Sequence, residues 1–131
     1  MNGSEHEGVH RIRVRYCETD RMGLAHHGSY VAWFEEARTE WMRERGFSYR
    51  EMEDGGLLLQ VVDMSIQYKR PVTYDEVIVV RTRVIERKRV SIKLEYRVEV
   101  GGDDGQLATL GTTTLAGVRR DGGLTRLPAD L

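Results

Sequence analysis

Residues 29–45 read SYVAWFEEARTEWMRER, and this stretch decides the fold. Its apolar residues recur at three- and four-residue intervals, which places them on one face of an α-helix; they are Tyr30, Trp33, Phe34, Ala37 and Trp41. Ser29 is the predicted N-cap, and Gly46 stands where a left-handed residue would end the helix. Because the apolar face is so rich in aromatic rings, we expect this helix to be deeply packed.

Strand patterns lie on both sides of the helix. Five segments show period-two alternation or a high density of β-branched residues; they cover 10–17, 62–69, 77–85, 90–100 and 107–118. Short turns at Arg87-Lys88-Arg89 and at Gly101–Gly105 join the last three, so these form antiparallel hairpins. The sequence therefore predicts an α+β domain over 9–131, with a five-stranded antiparallel sheet curled around one long helix. Residues 1–8 form the predicted flexible N-terminal tail.

The composition argues against several classes of protein. The chain has 131 residues, which fits one domain, and its 20 Lys and Arg nearly cancel its 21 Asp and Glu. Such a balance gives no overall field that would attract nucleic acid or a membrane surface. The only cysteine, Cys17, follows the alternation of the first strand, so we expect a buried or strand-edge thiol and no disulfide. The N-terminus lacks a signal-peptide pattern and no segment is long enough to span a bilayer, so we expect a soluble, cytoplasmic protein.

The densest cluster of reactive side chains, YCETDRMGLAHHGSY at 16–30, lies between the first strand and the helix. The first turn of a helix presents unpaired N–H groups and a partial positive charge, which can stabilise an oxyanion. A carboxylate just upstream can attack a carbonyl or activate water, and Asp20 stands in that position. Asp20 and the amides near His27 and Gly28 together supply the groups that acyl transfer requires. An Asp before a helix is also a common turn former, so Asp20 has this second interpretation. Glu18 is a weaker rival, since its place next to the strand suits a solvated edge charge.

The sequence gives less support to a metal site, to a histidine base or to a phosphate clamp. Adjacent residues in an extended chain point to opposite sides, so His26 and His27 are poorly placed to chelate one ion, and we expect no metal site. His27 is a candidate general base because imidazole titrates near neutral pH, although the same residue also suits a packed or hydrogen-bonded histidine without a catalytic role. The basic hairpin Arg87-Lys88-Arg89 suits either a solvated turn or a clamp for phosphate groups, and Lys69-Arg70 is a second, weaker clamp.

The stretch from Tyr16 to Trp41 resembles a known family. Asp20, Gly23, His27 and Tyr30, followed by FEEARTEW at 34–41, are similar to the acyl-CoA thioesterases of the 4-hydroxybenzoyl-CoA thioesterase group. The closest likeness is to the short-chain bacterial thioesterases associated with the Tol–Pal cluster. The order of the elements also matches the hotdog fold of that family.

This resemblance implies specific roles. The Asp20 carboxylate would act as nucleophile or general base on the thioester carbonyl, whose oxygen the backbone N–H of His27 would bind. Substrate would also contact Gly28 and the start of a long strand at Leu59, Gln60 and Val61. Arg87, Lys88 and Arg89 would hold the phosphates of coenzyme A, which is part of the substrate, so no cofactor is expected. The protein would be a homodimer or homotetramer, with each site between two subunits.

One departure from the family pattern affects the helix start. The family commonly has His-Ala-Asn-Tyr where this chain has His27-Gly28-Ser29-Tyr30, a change that could exchange one N-cap for another or alter contacts near the scissile bond. Two alternative functions stay open on this scaffold: a hydratase or dehydratase of acyl thioesters, and a non-catalytic acyl-CoA-binding module. The proline-containing sequence that usually follows the dehydratase histidine is absent here.

Overall fold

The described part of the chain folds into five strands, two α-helices and one short 3-10 turn. In chain order these are β1 (Gly8–Arg13), the 3-10 turn (Tyr16–Glu18), α1 (His27–Glu44), α2 (Tyr49–Asp54), β2 (Leu58–Tyr68), β3 (Val77–Arg87), β4 (Ser91–Val100) and β5 (Gln106–Val118). The computed structural model describes residues 7–101 and 105–131. Residues 1–6 of the predicted tail and 102–104 of the predicted Gly101–Gly105 turn lie outside the described residues, and β1 begins one residue before the predicted domain boundary.

The strands form a single sheet in the order β1-β3-β4-β5-β2, and all four pairings are antiparallel. The apolar face of α1 packs against the inner face of this sheet. The predicted α+β architecture, a five-stranded antiparallel sheet around one long helix, is confirmed. Because β1 and β2 are the outer strands, they carry the two free edges of the sheet.

The N-cap of the long helix lies three residues earlier than predicted. His26 is its N-cap, so the prediction of Ser29 as N-cap is wrong. Ser29 is instead buried, and its hydroxyl donates a hydrogen bond to the Glu18 carbonyl oxygen at 2.8 Å. At the other end α1 stops at Glu44, and Gly46 has φ +90°, a left-handed conformation that glycine adopts without strain. All five residues of the predicted apolar face are buried.

Gly111 of β5 leaves room for an aromatic ring of the helix. Phe34 stacks on Tyr96 with ring centroids 4.4 Å apart, and a Cβ at Gly111 would lie 2.5 Å from the Phe34 ring. A side chain at this position would therefore push the helix off the sheet. The alternation predicted for β4 is confirmed, since every second side chain is buried; these are Ile92, Leu94, Tyr96, Val98 and Val100.

The first strand is shorter than its alternation predicts. It ends at Arg13, and the next residues turn because the Glu18 carboxylate accepts a hydrogen bond from the Arg15 amide at 2.7 Å. This turn exposes Cys17, so the expectation of a buried or strand-edge thiol is wrong. It also buries Glu18 to 7% exposure, which overturns its interpretation as a solvated edge charge.

The short helix α2 was not predicted. Six residues are too few to reveal a helical period, and this segment reads as a polar connector. A local signal does exist, because Ser48 precedes Glu51 at the spacing of a capping box. In the structure the Ser48 hydroxyl accepts a hydrogen bond from the Glu51 amide at 3.3 Å.

Candidate active site

An open cleft of about 360 Å³ lies between the start of α1, the end of β2 and the loop that joins β1 to α1. Asp20 and His27, the two predicted catalytic residues, both line this cleft. The other lining residues are Leu24, Ala25, Tyr30, Tyr68, Lys69, Arg70 and Pro71. The folded chain therefore places the candidate carboxylate at the start of the helix.

Asp20 is oriented by its own loop. Its Oδ1 accepts hydrogen bonds from the amides of Met22 at 2.8 Å and Leu24 at 3.2 Å. Its backbone amide donates to the Leu24 carbonyl oxygen, also at 2.8 Å. The turn-forming role considered for this residue is therefore present, and it occupies Oδ1. Within the described residues Oδ2 has no hydrogen-bond donor, so this oxygen is available to a ligand in the cleft.

The start of α1 provides backbone donors next to this carboxylate. The first amides of a helix have no acceptor within the helix, and the N-cap His26 makes no side-chain capping hydrogen bond. Gly28 lies in this first turn, where a Cβ would stand 3.4 Å from the His26 ring, an ordinary contact distance. The His27 and Gly28 amides, together with the partial positive charge of the helix end, can polarise a bound carbonyl.

Aromatic rings form one wall of the cleft. The ring of Tyr68, at the end of β2, lies with its centroid 5.0 Å from that of His27 and 5.1 Å from that of Tyr30. Tyr30 in turn contacts Trp33 with centroids 4.9 Å apart. Burial raises the pKa of Tyr30, so its hydroxyl stays neutral. These rings offer a largely apolar surface for the acyl part of a ligand.

Seven of the nine cleft residues lie outside the predicted site, and Tyr68, Lys69 and Arg70 are among them. Lys69 and Arg70 were considered only as a weak phosphate clamp, yet they line the same cleft as Asp20. For Tyr68 the sequence predicts only a place in a strand with alternating apolar residues. Alternation predicts which residues share a face of a strand, but it does not say that the end of β2 lies beside the start of α1.

The predicted substrate-binding residues of β2 lie away from this cleft. Leu59 and Tyr68 are near opposite ends of the strand, and nine residues of extended chain span about 30 Å. Leu59 lines a second pocket of about 240 Å³ with residues of both helices, while Gln60 and Val61 are exposed on the sheet edge. A single chain therefore does not bring Leu59, Gln60 and Val61 to Asp20.

The basic hairpin lies at the opposite end of the sheet from the cleft. β3 begins at Val77, which pairs with Arg13, and it reaches the hairpin only at Arg87. The Arg87 guanidinium is already engaged, because it donates to the carbonyl oxygens of Pro128 at 2.6 Å and Leu131 at 3.0 Å. Lys88 and Arg89 are exposed, and Lys88 Nζ lies 3.5 Å from Glu86 Oε1 in a surface ion pair, so these two are the cations of this hairpin that can best meet a ligand.

A group of arginines near the hairpin was not predicted. Arg119, Arg120 and Arg126 line a cleft of about 530 Å³ together with the glycine turn that precedes β2. This segment lies against the hairpin, since the Leu127 amide donates to the Arg89 carbonyl oxygen at 3.2 Å. Asp121 lines the same cleft with its Oδ1 3.4 Å from Arg119 Nε, so three arginines face one carboxylate at this end of the sheet.

Residues 7–101 and 105–131 contain no group of three or more His, Cys, Asp and Glu side chains placed to hold a metal ion. No helix in these ranges is long and apolar enough to cross a membrane.

Comparison with known proteins adds independent findings. A family model described as the thioesterase superfamily matches residues 22–106, beginning two residues after Asp20. The protein YneP of Bacillus subtilis is 37% identical over 109 residues, covering 83% of this chain and 78% of YneP. The acyl-CoA thioester hydrolase YbgC of Escherichia coli is 31% identical over 87 residues, covering 66% of this chain and 65% of YbgC. The crystal structure of a DHNA-CoA thioesterase from Staphylococcus aureus superposes with a TM-score of 0.85 at 35% identity, covering 95% of this chain and 81% of that one.

Proposed function

Because the chain belongs to the thioesterase superfamily, we propose that it hydrolyses acyl-CoA thioesters to the free acid and coenzyme A in the Asp20 cleft. As a member of this family it is a hotdog-fold thioester hydrolase. One observation carries the proposal. The Asp20 carboxylate lines the same cleft as the start of α1, whose N-cap makes no side-chain hydrogen bond. The motif from Asp20 to Trp41 supports a place in the 4-hydroxybenzoyl-CoA thioesterase group, near the Tol–Pal-associated enzymes.

The proposed reaction uses the carboxylate and the helix amides together. The thioester carbonyl oxygen accepts hydrogen bonds from the amides of His27 and Gly28, which stabilise the oxyanion of the tetrahedral intermediate. As general base, Asp20 takes a proton from the water whose oxygen adds to the carbonyl carbon. As nucleophile, it adds to that carbon itself and water hydrolyses the resulting anhydride. In both routes the C–S bond breaks and the sulfur of coenzyme A leaves as a thiolate, which then takes up a proton.

We expect two copies of the chain to build each complete site. β2 is an 11-residue edge strand on which Val61, Val62 and Tyr68 are exposed among polar residues, and the unpaired backbone groups of a long edge favour pairing with another strand. Antiparallel pairing of two β2 strands about a two-fold axis brings the start of one strand towards the end of the other. Leu59 to Val61 of one copy would then lie close to Tyr68 and Asp20 of its partner.

The same symmetry supports a site for the phosphates of coenzyme A. The hairpin lies at the end of the sheet where β2 starts, because Ser91 and Leu58 pair with Ala116 and Val118 of β5. Pairing of the β2 edges therefore moves Lys88 and Arg89 of one copy towards the cleft of the other. Their charges, with those of the three neighbouring arginines, suit a phosphate-bearing ligand.

Hydrolysis of a panel of CoA thioesters by the wild type and Asp20→Asn tests this proposal. The panel runs from acetyl to palmitoyl and includes benzoyl types, and free thiol is followed. Asparagine can keep the Oδ1 hydrogen bonds from Met22 and Leu24 while removing the reactive oxygen. Loss of one oxyanion donor alone costs about 10²–10³ in kcat, so we expect Asp20→Asn to lose at least that much.

The possible outcomes separate the alternatives. Near-normal turnover by Asp20→Asn would remove Asp20 from the reaction. Tight acyl-CoA binding by the wild type without turnover of any ester would indicate a binding module. Hydration of an enoyl-CoA without thiol release would indicate a hydratase on the same scaffold.

A further inference from the structure

A buried carboxylate lies two residues before Asp20. The Glu18 side chain is 9% exposed. Its Oε1 accepts a hydrogen bond from the Arg15 amide at 2.7 Å, and its Oε2 accepts one from the Trp33 indole N–H at 2.9 Å. The Arg15 guanidinium approaches Oε2 at 3.3 Å. Burying a charge is costly unless it is paired and hydrogen-bonded, and here three donors satisfy that requirement.

The backbone of Glu18 is bonded to the start of α1. Its carbonyl oxygen accepts a hydrogen bond from the His26 amide at 3.1 Å and another from the Ser29 hydroxyl at 2.8 Å. One residue therefore contacts the N-cap of α1, the first turn through Ser29 and the second turn through Trp33. These contacts fix the loop on the helix from both the side chain and the main chain.

The path from Glu18 to the candidate carboxylate is short and held in place. Thr19, the only intervening residue, has an extended backbone with φ −113° and ψ 158°, and it forms a β-bridge with Ala25. Its amide and hydroxyl both donate to the Tyr16 carbonyl oxygen. A shift of Glu18 against Trp33 would consequently move Asp20 against the helix amides.

We propose that Glu18 is the positioning residue of the site, and that its hydrogen bond to the Trp33 indole sets the separation between the Asp20 carboxylate and the amides that open α1. The inference rests on the proposed function, because Glu18 acts only through the position of Asp20. Glu18 itself is given no contact with the substrate. The buried carboxylate takes no proton from the reaction and touches no reacting atom. Its effect is geometric, and geometry counts strongly in this chemistry because a misplacement of about 1 Å can cost on the order of 10² in rate.

Trp33→Phe is the primary test, since it removes the indole N–H and leaves an aromatic ring in the core. The matched control is Trp41→Phe, which makes the same change at a residue 2% exposed on the same helix. Trp41 packs beside Gly8 and Arg45, towards the other end of α1. Both variants lose ring volume in the core, so both should unfold at a lower temperature than the wild type.

We expect Trp33→Phe to lower kcat by about 10-fold or more while KM stays within about twofold. Trp41→Phe should keep the wild-type kcat at temperatures where both variants are fully folded by circular dichroism. Glu18→Gln, whose amide oxygen can still accept one of the hydrogen bonds, should retain more turnover than Glu18→Ala. When the two variants are compared at a temperature where both are fully folded, this rescue has no counterpart if Glu18 serves only to stabilise the fold.

Two results would overturn the inference. One is a kcat for folded Trp33→Phe equal to that of Trp41→Phe, and the other is equal turnover by Glu18→Gln and Glu18→Ala. Failure of the proposed function gives a different result, since the wild type would then release no thiol from any ester of the panel.

Discussion

At the scale of single residues, Glu18 and Asp20 show how two carboxylates two positions apart acquire different tasks. Glu18 is buried and receives three hydrogen-bond donors. Asp20 is exposed, and its Oδ1 alone is used by the loop. The difference follows from the 3-10 turn, which directs Glu18 towards Trp33 and the next carboxylate towards the cleft.

The ionisation of Glu18 gives a prediction about stability and pH. Burial alone would raise the pKa of Glu18, but the hydrogen bonds from the Arg15 amide, Trp33 and the Arg15 side chain outweigh burial and lower it. The unfolded chain therefore binds this proton more readily than the folded chain does. The resulting stabilisation is present above the ordinary glutamate pKa of about 4.3 and is lost as the pH falls through the lower folded pKa.

Urea unfolding of the wild type and Glu18→Gln at pH 7 and at pH 3 checks this prediction. Since hydrogen bonds to charged groups contribute about 1.5–3 kcal/mol, we expect Glu18→Gln to reduce the free energy of unfolding by roughly that amount at pH 7. The gap between the two proteins should narrow at pH 3. A gap that widens in acid would contradict the assigned direction of the pKa shift.

At the scale of elements, the seat of the Phe34 ring of α1 on the sheet requires a position without a side chain. Gly111 pairs with Tyr96 across β4 and β5, and Phe34 lies over both. We expect Gly111→Ala to destabilise the protein by about 1–3 kcal/mol, the usual cost of overpacking a dense core. Thermal and urea unfolding measure this change.

A second substitution identifies the cause. Phe34→Leu removes part of the ring that the new methyl group would strike at 2.5 Å. If steric conflict is responsible, the double variant should be less destabilised than the sum of the two single variants. Strict additivity would show that Gly111 matters for the backbone of β5 rather than for its distance from the helix.

At the scale of the whole molecule, the proposed function needs two chains. In one chain the cleft and the basic hairpin lie at opposite ends of the sheet. Mixing two defective variants tests whether a partner closes this gap. One variant is Asp20→Asn, and the other replaces both Lys88 and Arg89 by alanine, which should raise KM for acyl-CoA.

If each site combines Asp20 of one chain with the hairpin of the other, a mixed dimer contains one intact site. After unfolding and refolding together in equal amounts, half of the dimers are mixed, so about a quarter of the wild-type activity should return. Sites built within one chain would give no such recovery, because neither chain holds both parts. Light scattering on the same samples reports whether dimers have formed.

The sequence determined where the long helix and the five strands lie and which of their faces are buried. The aromatic face of α1, the alternation of β4 and the left-handed Gly46 all follow from local spacing, because a helix or strand repeats its geometry every few residues. The proximity of Asp20 to the helix start was also predictable, since only six residues separate Asp20 from His27. Local spacing failed at the end of β1, where Glu18 bends the chain by bonding to Arg15 and Trp33.

Only the tertiary structure decided what surrounds the carboxylate. Tyr68, Lys69 and Arg70 lie in the cleft because β2 runs back antiparallel beside β5 and ends next to α1. In the same antiparallel sheet, Leu59 at the start of β2 and the basic hairpin lie at the end remote from Asp20. Periodicity reports which face of an element is buried and contains no information on which distant element covers it. Contacts between residues far apart in the chain are fixed only when the whole sheet closes around its helix.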